Sequence, residues 1–288
     1  MEWEIAVAAG AELGERPVWD DRTGELVWVD LAAGTVHRHR PGGDSAVRYP
    51  GTVGAAGLRA AGGHVLAAGT DFVLTGPDGG VERRIPLPGA PAGVAFNDGA
   101  VDPAGRFWAG TAALDLRPGG GALYLLEADL TVRLVLDGVT ESNGLAWNLA
   151  GDLLHYVDSG APEPRVRAFP YDKRTGELGA PRELARFGPG DGIPDGLTVD
   201  REDCLWVALW EGAAVRRYGP DGTLLAHLPL PVRLATCPGF GGPGLDLLYV
   251  TTARQGLDPA ARAAEPSAGH VLVTRPGVRG VPAHRFAN

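Results

Sequence analysis

Residues 194–209, PDGLTVDREDCLWVAL, contain an acidic side chain, a polar turn and an apolar run in close succession. Three other stretches have the same order of features, beginning GERPVWD at residue 14, FNDGAVD at residue 96 and SNGLAW at residue 142. In all four, an oxygen-bearing side chain stands eight or nine residues before the turn that leads into the apolar run. These side chains are Glu15, Asn97 with Asp98, Asn143 and Asp195. They therefore share one register of a repeat, and in a closed repeat architecture one register is one place in space.

The repeat extends along the whole chain of 288 residues, in which 44 glycines and 24 prolines separate short β-rich runs. The turns before the runs recur every 39 to 52 residues, at Gly24, Gly63, Gly105, Gly151, Asp203 and Gly244. Units of this length that carry several short strands are typical of propeller blades, and long helical periods are nearly absent. We predict an all-β fold, a six-bladed β-propeller that forms one domain over residues 1–288, with a metal site in its central channel.

Propeller closure can be predicted from the two ends of the chain. The segment GHVLVTRPGVRGVPAHRF, from Gly269, is strand-like, and it is expected to pair with EIAVAAG near the N-terminus. Such pairing would remove open sheet edges. The connection LDPAARAAEPSAG, from Leu257, is expected to be a surface loop with a helical turn.

Composition excludes several classes of protein. The net charge of −9 has no balancing basic block, so nucleic acid and anionic membrane surfaces are poor partners, and no apolar stretch is long enough to span a membrane. Two cysteines, Cys204 and Cys237, are too few for a disulfide framework. Lys173 is the single lysine and lies in a turn-like segment, which argues against Schiff-base chemistry and a P-loop. With no signal peptide apparent, we expect a cytoplasmic protein, monomeric or weakly homo-oligomeric.

The four donor positions allow a structural and a functional interpretation. Asn-Gly and Asp-Gly are common turn dipeptides, and for any one of them alone the turn is the better explanation. Their shared register, and a glutamate at position 15 that no turn requires, favour a site. Oxygen ligands alone suit Ca²⁺, Mg²⁺ or Mn²⁺, and open coordination positions would serve ester hydrolysis. By contrast Asp20, Asp102 and Asp200, which recur at the strand ends, are expected to cap turns.

Other motifs carry little chemistry. No Gly-x-Ser-x-Gly elbow occurs, so a serine hydrolase has no support. The stretch GFGGPG, residues 239–244, matches a dinucleotide fingerprint but precedes a strand-like run rather than a helix. The recurring tryptophans at 19, 28, 108, 147 and 206 are expected to pack between blades rather than to stack on sugars.

At these same motifs the chain resembles the senescence marker protein, regucalcin and gluconolactonase family. The resemblance covers nearly the whole chain, through GERPVWD, FNDGAVDPAGRFWAGT, GALYLL, SNGLAWN, FPYDKRTGEL, PDGLTVD and LLYVTTAR. It implies a six-bladed propeller with a divalent metal in the channel and, commonly, hydrolysis of sugar lactones. Carried over by motif, the metal ligands would be Glu15, Asn143 and Asp195. Asp195 would also be the catalytic acid and base, and Asn97 would lie near the substrate or a water on the metal.

Two departures from the family pattern concern the substrate. Family lactonases often have Arg before Phe-Asn-Asp, where this chain has Ala95, and a glutamate in the loop before GALY, where it has LDLRPGG. Asn97, Asp98 and Arg117 are the predicted substrate-binding residues, with Arg117 a possible replacement for the missing arginine. We predict a metal-dependent lactonase that binds one divalent ion (Ca, Mg, Mn, Zn or Fe) and opens a sugar lactone or related cyclic ester. The alternatives are a different carbonyl or ring rearrangement on the same metal, and a non-catalytic propeller that binds a metal or a partner.

Overall fold

The structure is a computed structural model that describes residues 2–288. Its first strand, β1 (Glu4–Val7), belongs to the last sheet rather than the first. The first three blades are built from consecutive antiparallel strands: β2 (Gly14–Asp20), β3 (Glu25–Asp30), β4 (Thr35–Arg40) and β5 (Gly43–Arg48); β6 (Val53–Leu58), β7 (His64–Ala68), β8 (Asp71–Thr75) and β9 (Val81–Pro86); β10 (Val94–Val101), β11 (Phe107–Ala113), β12 (Gly121–Leu126) and β13 (Val132–Val139).

The second half of the chain repeats this arrangement with small changes. The fourth blade has β14 (Ser142–Trp147), β15 (Leu153–Asp158), β16 (Arg165–Asp172), the short β17 (Glu177–Leu178) and β18 (Arg182–Arg186), the last two both pairing with β16. The fifth has β19 (Ile193–Val199), β20 (Leu205–Trp210), β21 (Ala214–Tyr218) and β22 (Leu224–Pro229). The sixth has β23 (Ala235–Gly241), β24 (Leu247–Thr252) and β25 (Val271–Thr274), with α1 (Pro259–Ala264) in the connection before β25.

The N-terminal strand closes the sixth blade, because β1 pairs antiparallel with β25, in the register Glu4 opposite Val273 and Ile5 opposite Leu272. The innermost strands β2, β6, β10, β14, β19 and β23 lie beside one another in a ring, with β23 next to β2. The predicted closure, the helical turn and the six-bladed propeller are confirmed over residues 2–288.

The predicted turns all lie between the first and second strands of a blade. Five of them place their marker residue in the left-handed region, with φ between 61° at Asp203 and 80° at Gly105. In the sixth turn the left-handed residues are Gly242 and Leu245, with φ of 81° and 53°, and not Gly244. Strand β10 runs from Val94 past Asn97 toward the turn at Gly105. We call the end of the central channel at these turns the far mouth. The connections that follow the second strand of each blade lie at the other end, the near mouth.

Apolar packing occurs between blades, and the described residues contain one buried cluster at each of the six interfaces between neighbouring blades. Trp108 and Trp206 are fully buried in two of these clusters, and their indole nitrogens donate to Asp102 and Asp200 at 2.9 and 2.8 Å. The other oxygen of each aspartate accepts from backbone N–H groups of its turn. The predicted packing role of these tryptophans and the turn role of both aspartates are confirmed.

Both cysteines, Cys204 and Cys237, are free and buried. Among residues 2–288, no helix combines the length and the apolar character that a bilayer-spanning helix needs.

Candidate functional site

Each innermost strand has a β-bulge near its start, at the same level of the channel. The register shifts fall between Glu15 and Val18 in β2, between Phe96 and Asp98 in β10, between Asn143 and Leu145 in β14 and between Pro194 and Leu197 in β19. A bulge inserts an unpaired residue and re-aims the neighbouring side chains. The oxygen-bearing residues of the four repeats lie in or beside these bulges. The remaining two blades have Gly54 and Thr236 at the bulge and contribute no carboxylate there.

The glycines after the donor residues have a different role from the one their dipeptides suggest. Gly144 and Gly196 lie inside strands and are outside the left-handed region, so the turn interpretation of Asn-Gly and Asp-Gly is wrong at these positions. A Cβ on Gly144 would lie 2.5 Å from the carbonyl oxygen of Asp195, and one on Gly196 would lie 2.4 Å from Sγ of Cys237. The glycines therefore allow neighbouring innermost strands to approach closely around the channel.

The three predicted ligands, Glu15, Asn143 and Asp195, are each only 5% exposed. Burial, followed by the negative charge of Asp98, raises the pKa of Glu15 well above its usual value. Burial, followed by the charge of Glu15, does the same to the pKa of Asp195, which a hydrogen bond from Asn143 partly opposes. Oδ1 of Asp195 is buried and has no hydrogen-bond partner anywhere in residues 2–288. These side chains are held together although their like charges repel and one oxygen is unsatisfied.

Asp98 is buried in the same place but has partners of its own. Its Oδ1 accepts the backbone N–H of Gly99 at 2.7 Å, and its Oδ2 lies 3.5 Å from Nη1 of Arg16. Arg16 also donates through Nη2 to the carbonyl oxygen of Leu145 at 3.1 Å, and its backbone is left-handed, with φ of 46°. No sequence motif marks Arg16, because an arginine between a glutamate and a proline has no specific meaning. It is nevertheless the cation that faces this group of carboxylates.

Asn97 occupies the bulge of β10 and is partly exposed. Its Nδ2 donates to the carbonyl oxygen of Ser142 at 3.1 Å, across the boundary between the third and fourth blades. This bond fixes the amide and leaves its Oδ1 without a protein donor in the described chain. Asn97 therefore lies in the channel beside the other donors, with an acceptor oxygen available to a ligand.

The other two substrate-related positions lie further out. Arg117 is in the exposed connection between β11 and β12, where its Nη1 pairs with Asp115 at 2.9 Å. The structure does not bring Arg117 into contact with Glu15, Asn97 or Asp98, and its substrate role stays a prediction. Ala95 lies on β10 opposite Ala112, so these two paired positions offer only methyl groups.

Glu141 is a further residue of this site and was not among the residues predicted from the sequence. It is partly buried, it immediately precedes Ser142 and Asn143, and its negative charge raises the pKa of both Glu15 and Asp195. Burial and the charge of Asp158 raise its own pKa. The signal available in the sequence was a glutamate two positions before a predicted ligand, on the same side of an extended chain.

The donor set fits a hard divalent cation. Two carboxylates and an amide oxygen are the ligands that Ca²⁺, Mg²⁺ and Mn²⁺ prefer, and the unsatisfied Oδ1 of Asp195 would gain a partner. Within residues 2–288 no three His, Cys, Asp or Glu side chains are grouped as metal ligands. Any ion here would therefore depend on the Asn143 amide and on water or substrate as well as on the two carboxylates.

The far mouth of the channel has a different character. A cavity of about 130 Å³ lies there, lined largely by apolar residues of the innermost strands that include Trp19, Leu58 and Phe240, together with the side of Arg16. Residues 281–284 of the C-terminal segment also line it. The polar site and the apolar cavity thus occupy opposite ends of one channel, and Arg16 contributes to both.

Comparisons with known proteins show which family the chain belongs to. Residues 13–254 match the family model described as SMP-30/Gluconolactonase/LRE-like region. Regucalcin of Oryctolagus cuniculus is 36% identical over 294 residues, covering 99% of this chain and 98% of that protein. The crystal structure of a calcium-binding protein, regucalcin, from Agrobacterium tumefaciens superimposes with a TM-score of 0.92 at 26% identity, covering 99% and 97% of the two chains. A luciferin-regenerating enzyme structure gives 0.91 at 30% identity, covering 100% and 99%.

The match spans the stretches that carry all six bulged innermost strands, and the curated relatives are matched along nearly their full length. The blade architecture and the channel residues therefore belong to one continuous homologous unit. The chain is a member of the SMP-30/gluconolactonase/LRE-like family.

Proposed function

We propose that this protein is a divalent-metal-dependent hydrolase that opens a lactone ring, with a neutral sugar lactone as the preferred substrate class. The observation that carries the proposal is the buried pair Glu15 and Asp195, with Oδ1 of Asp195 unpartnered at the bulged level of the channel. A protein that only bound a macromolecular partner through this face would gain nothing from buried, mutually repelling carboxylates. Membership of a family that includes gluconolactonases supports the same conclusion.

Glu15, Asn143 and Asp195 would hold the ion. When bound, it would act as a Lewis acid and stabilise negative charge on the carbonyl oxygen of the lactone. Calcium is the first ion to test, because the Agrobacterium relative is described as calcium-binding and the donors here are all oxygens.

Asp195 is proposed to move the proton. In ring opening, a water oxygen forms a bond to the carbonyl carbon and loses a proton, and the ring C–O bond breaks as the departing oxygen gains one. A carboxylate beside the reacting carbonyl can accept the first proton and deliver it to the departing oxygen. The product is a hydroxy acid, which releases a proton at neutral pH. Asn97, fixed through Ser142, would orient the substrate with its free amide oxygen.

The test is acid release from a panel of γ- and δ-lactones, followed with a pH indicator. The protein is first treated with EDTA and dialysed, and Ca²⁺, Mg²⁺, Mn²⁺ or Zn²⁺ is then added back singly. We expect no turnover without metal and turnover with at least one ion. Asp195→Asn keeps the size of the side chain but removes the base, and should lower kcat/KM by at least about 10²- to 10⁴-fold.

Asp221→Asn is the matched control, since Asp221 is exposed in the turn between β21 and β22 and bonds within that turn to Thr223. It should behave as the parent protein does. The proposal fails if no lactone is hydrolysed with any of the ions, or if Asp195→Asn is as active as the parent.

A further inference from the structure

Glu141 is fixed in place by its backbone. Its N–H donates to Oδ1 of Asp158 at 2.9 Å, and its carbonyl oxygen accepts the N–H of Ser159 at 3.0 Å. It also forms an isolated antiparallel bridge with Ala112. Since Ala112 is opposite Ala95 on β10, Glu141 ends a row whose other two members have only methyl side chains. The carboxylate is therefore the polar group of this row at the near mouth.

The side chain of Glu141 has no protein partner. No hydrogen bond and no ion pair in the described chain involves its carboxylate oxygens, although the residue is partly buried. Its nearest charged groups are carboxylates, those of Asp158, Glu15 and Asp195. A second observation in the same place points to a ligand: Oδ1 of Asp195, in a side chain about nine-tenths buried or more, also lacks a partner. Polar atoms withdrawn from water without partners are costly, so both are expected to be satisfied when the site is filled.

Charge balance indicates what could fill it. Among the described residues, the carboxylates of Glu15, Asp98, Glu141 and Asp195 face one guanidinium, that of Arg16, and the charge of Asp158 also acts on Glu141. A divalent cation would therefore leave at least one negative charge in excess. Arg117 does not offset it, because its guanidinium is exposed and paired with Asp115. An anionic group on the substrate would be repelled by this excess negative charge, whereas a hydroxyl group could donate a hydrogen bond to Glu141.

We propose that Glu141 determines substrate specificity: it accepts a hydrogen bond from a hydroxyl group of the lactone and excludes lactones that carry a carboxylate or phosphate. The inference rests on the proposed lactonase function. It assigns Glu141 to the substrate and not to the metal, since Glu15, Asn143 and Asp195 already supply the proposed ligands.

Two matched substrate pairs separate the two parts of the proposal. D-glucono-1,5-lactone and δ-valerolactone share a six-membered ring, and only the first has hydroxyl groups. D-glucono-1,4-lactone and D-glucaro-1,4-lactone share a hydroxylated ring, and only the second has a free carboxylate. The parent protein, loaded with its metal, is expected to prefer the first member of each pair.

Two variants distinguish the role of the Glu141 side chain as a hydrogen-bond acceptor from the role of its negative charge. Glu141→Ala removes the acceptor and should lower kcat/KM for D-glucono-1,5-lactone about tenfold or more, with less than about a threefold change for δ-valerolactone. Glu141→Gln keeps an acceptor oxygen but removes the charge. It should raise the activity on D-glucaro-1,4-lactone relative to D-glucono-1,4-lactone by about fivefold or more.

Metal affinity gives a readout that does not depend on turnover. Calorimetric titration with Ca²⁺ should give a Kd within about threefold of the parent for both Glu141 variants, whereas Asp195→Asn should lose most of its binding. Glu163→Gln is the charge-matched control, because Glu163 lies in the exposed connection after β15 and pairs with Arg165 and Arg186. It should leave both substrate ratios unchanged.

The outcomes distinguish this inference from the proposed function. If the parent hydrolyses none of the four lactones, the proposed function is overturned and the inference with it. If the parent is active but Glu141→Ala loses activity on δ-valerolactone as strongly as on D-glucono-1,5-lactone, Glu141 is not a hydroxyl acceptor. Equal substrate ratios for Glu141→Gln and the parent would overturn the exclusion of anions, and a lost Ca²⁺ affinity would place Glu141 among the metal ligands.

Discussion

At the scale of single residues, the site depends on carboxylates that the fold holds at raised pKa values. Burial and neighbouring charges raise the pKa of both Glu15 and Asp195, so the folded protein without metal binds protons more tightly than the unfolded chain does. The resulting stabilisation is fully present below the unfolded pKa of about 4 and is lost as the pH rises through the folded values. A bound divalent cation replaces the protons and removes this loss.

We therefore expect the Tm of the EDTA-treated protein to fall as the pH is raised from 5 to 8, while the Tm with saturating metal stays nearly constant. Asp195→Asn removes one of the repelling charges, so it should raise the metal-free Tm at pH 8 and flatten the pH dependence. Scanning fluorimetry at matched ionic strength measures all of these quantities. A metal-free Tm that rises over this range would contradict the assignment of raised pKa values to the pair.

Single residues also show which parts of the site can be predicted from the sequence. Glu15, Asn97, Asn143 and Asp195 were found from their common register, which is a property of sequence spacing. Arg16 and Glu141 could not be found in this way, because their roles depend on contacts in the folded chain. Arg16 lies 3.5 Å from Asp98, and the carboxylate of Glu141 is partly buried without a hydrogen-bond partner in the described residues. Such contacts depend on which strands of distant repeats become neighbours, and no local pattern records that.

At the scale of the elements, the bulged innermost strand is the unit that builds the site. Spacing predicted the strands and the turns between them, but it could not distinguish a turn from a bulge, since both use Asn, Asp and Gly. The structure shows that Gly144 is needed for the approach of β14 to β19 and not for a left-handed backbone.

Gly144→Ala is expected to destabilise the protein and to disturb the site. The added Cβ would lie 2.5 Å from the backbone oxygen of Asp195, so one of the two strands must move. Overpacking of this kind costs about 1–3 kcal/mol, and the shift should also weaken metal binding. Urea unfolding and calorimetric Ca²⁺ titration measure the two effects.

Gly43→Ala is the control for this substitution. Gly43 begins the outer strand β5, has no atom within 4 Å of an added Cβ and is outside the left-handed region. It should leave both the unfolding free energy and the metal affinity near the parent values. An unchanged Gly144→Ala protein would show that the strands can separate there at little cost.

At the scale of the whole molecule, the ring is closed twice. The first closure is the pairing of β1 with β25, which the strand-like segments near both ends predicted. The second is the C-terminal segment, which crosses the far mouth and is bonded to the first three blades. Arg285 pairs with Asp20 at 2.6 Å, the N–H of Phe286 donates to Leu58, and the N–H of Ala287 donates to Gly105. The strand character predicted for this segment through Phe286 is wrong beyond Thr274, where β25 ends, and no motif in the sequence indicates the path that follows.

Phe286 anchors this second closure, and its replacement should affect stability without affecting the site. Its side chain is fully buried between the second and third blades, and its backbone forms hydrogen bonds to Leu58 and Ala60. Phe286→Ala is expected to cost about 3–5 kcal/mol of unfolding free energy, the usual range for a buried phenylalanine. Leu225→Ala, at a half-exposed position on the outer strand β22, should cost little. Because the carboxylates lie at the opposite end of the channel, the Ca²⁺ affinity of the folded Phe286 variant should match that of the parent. A parallel loss of affinity would show that the two mouths are coupled.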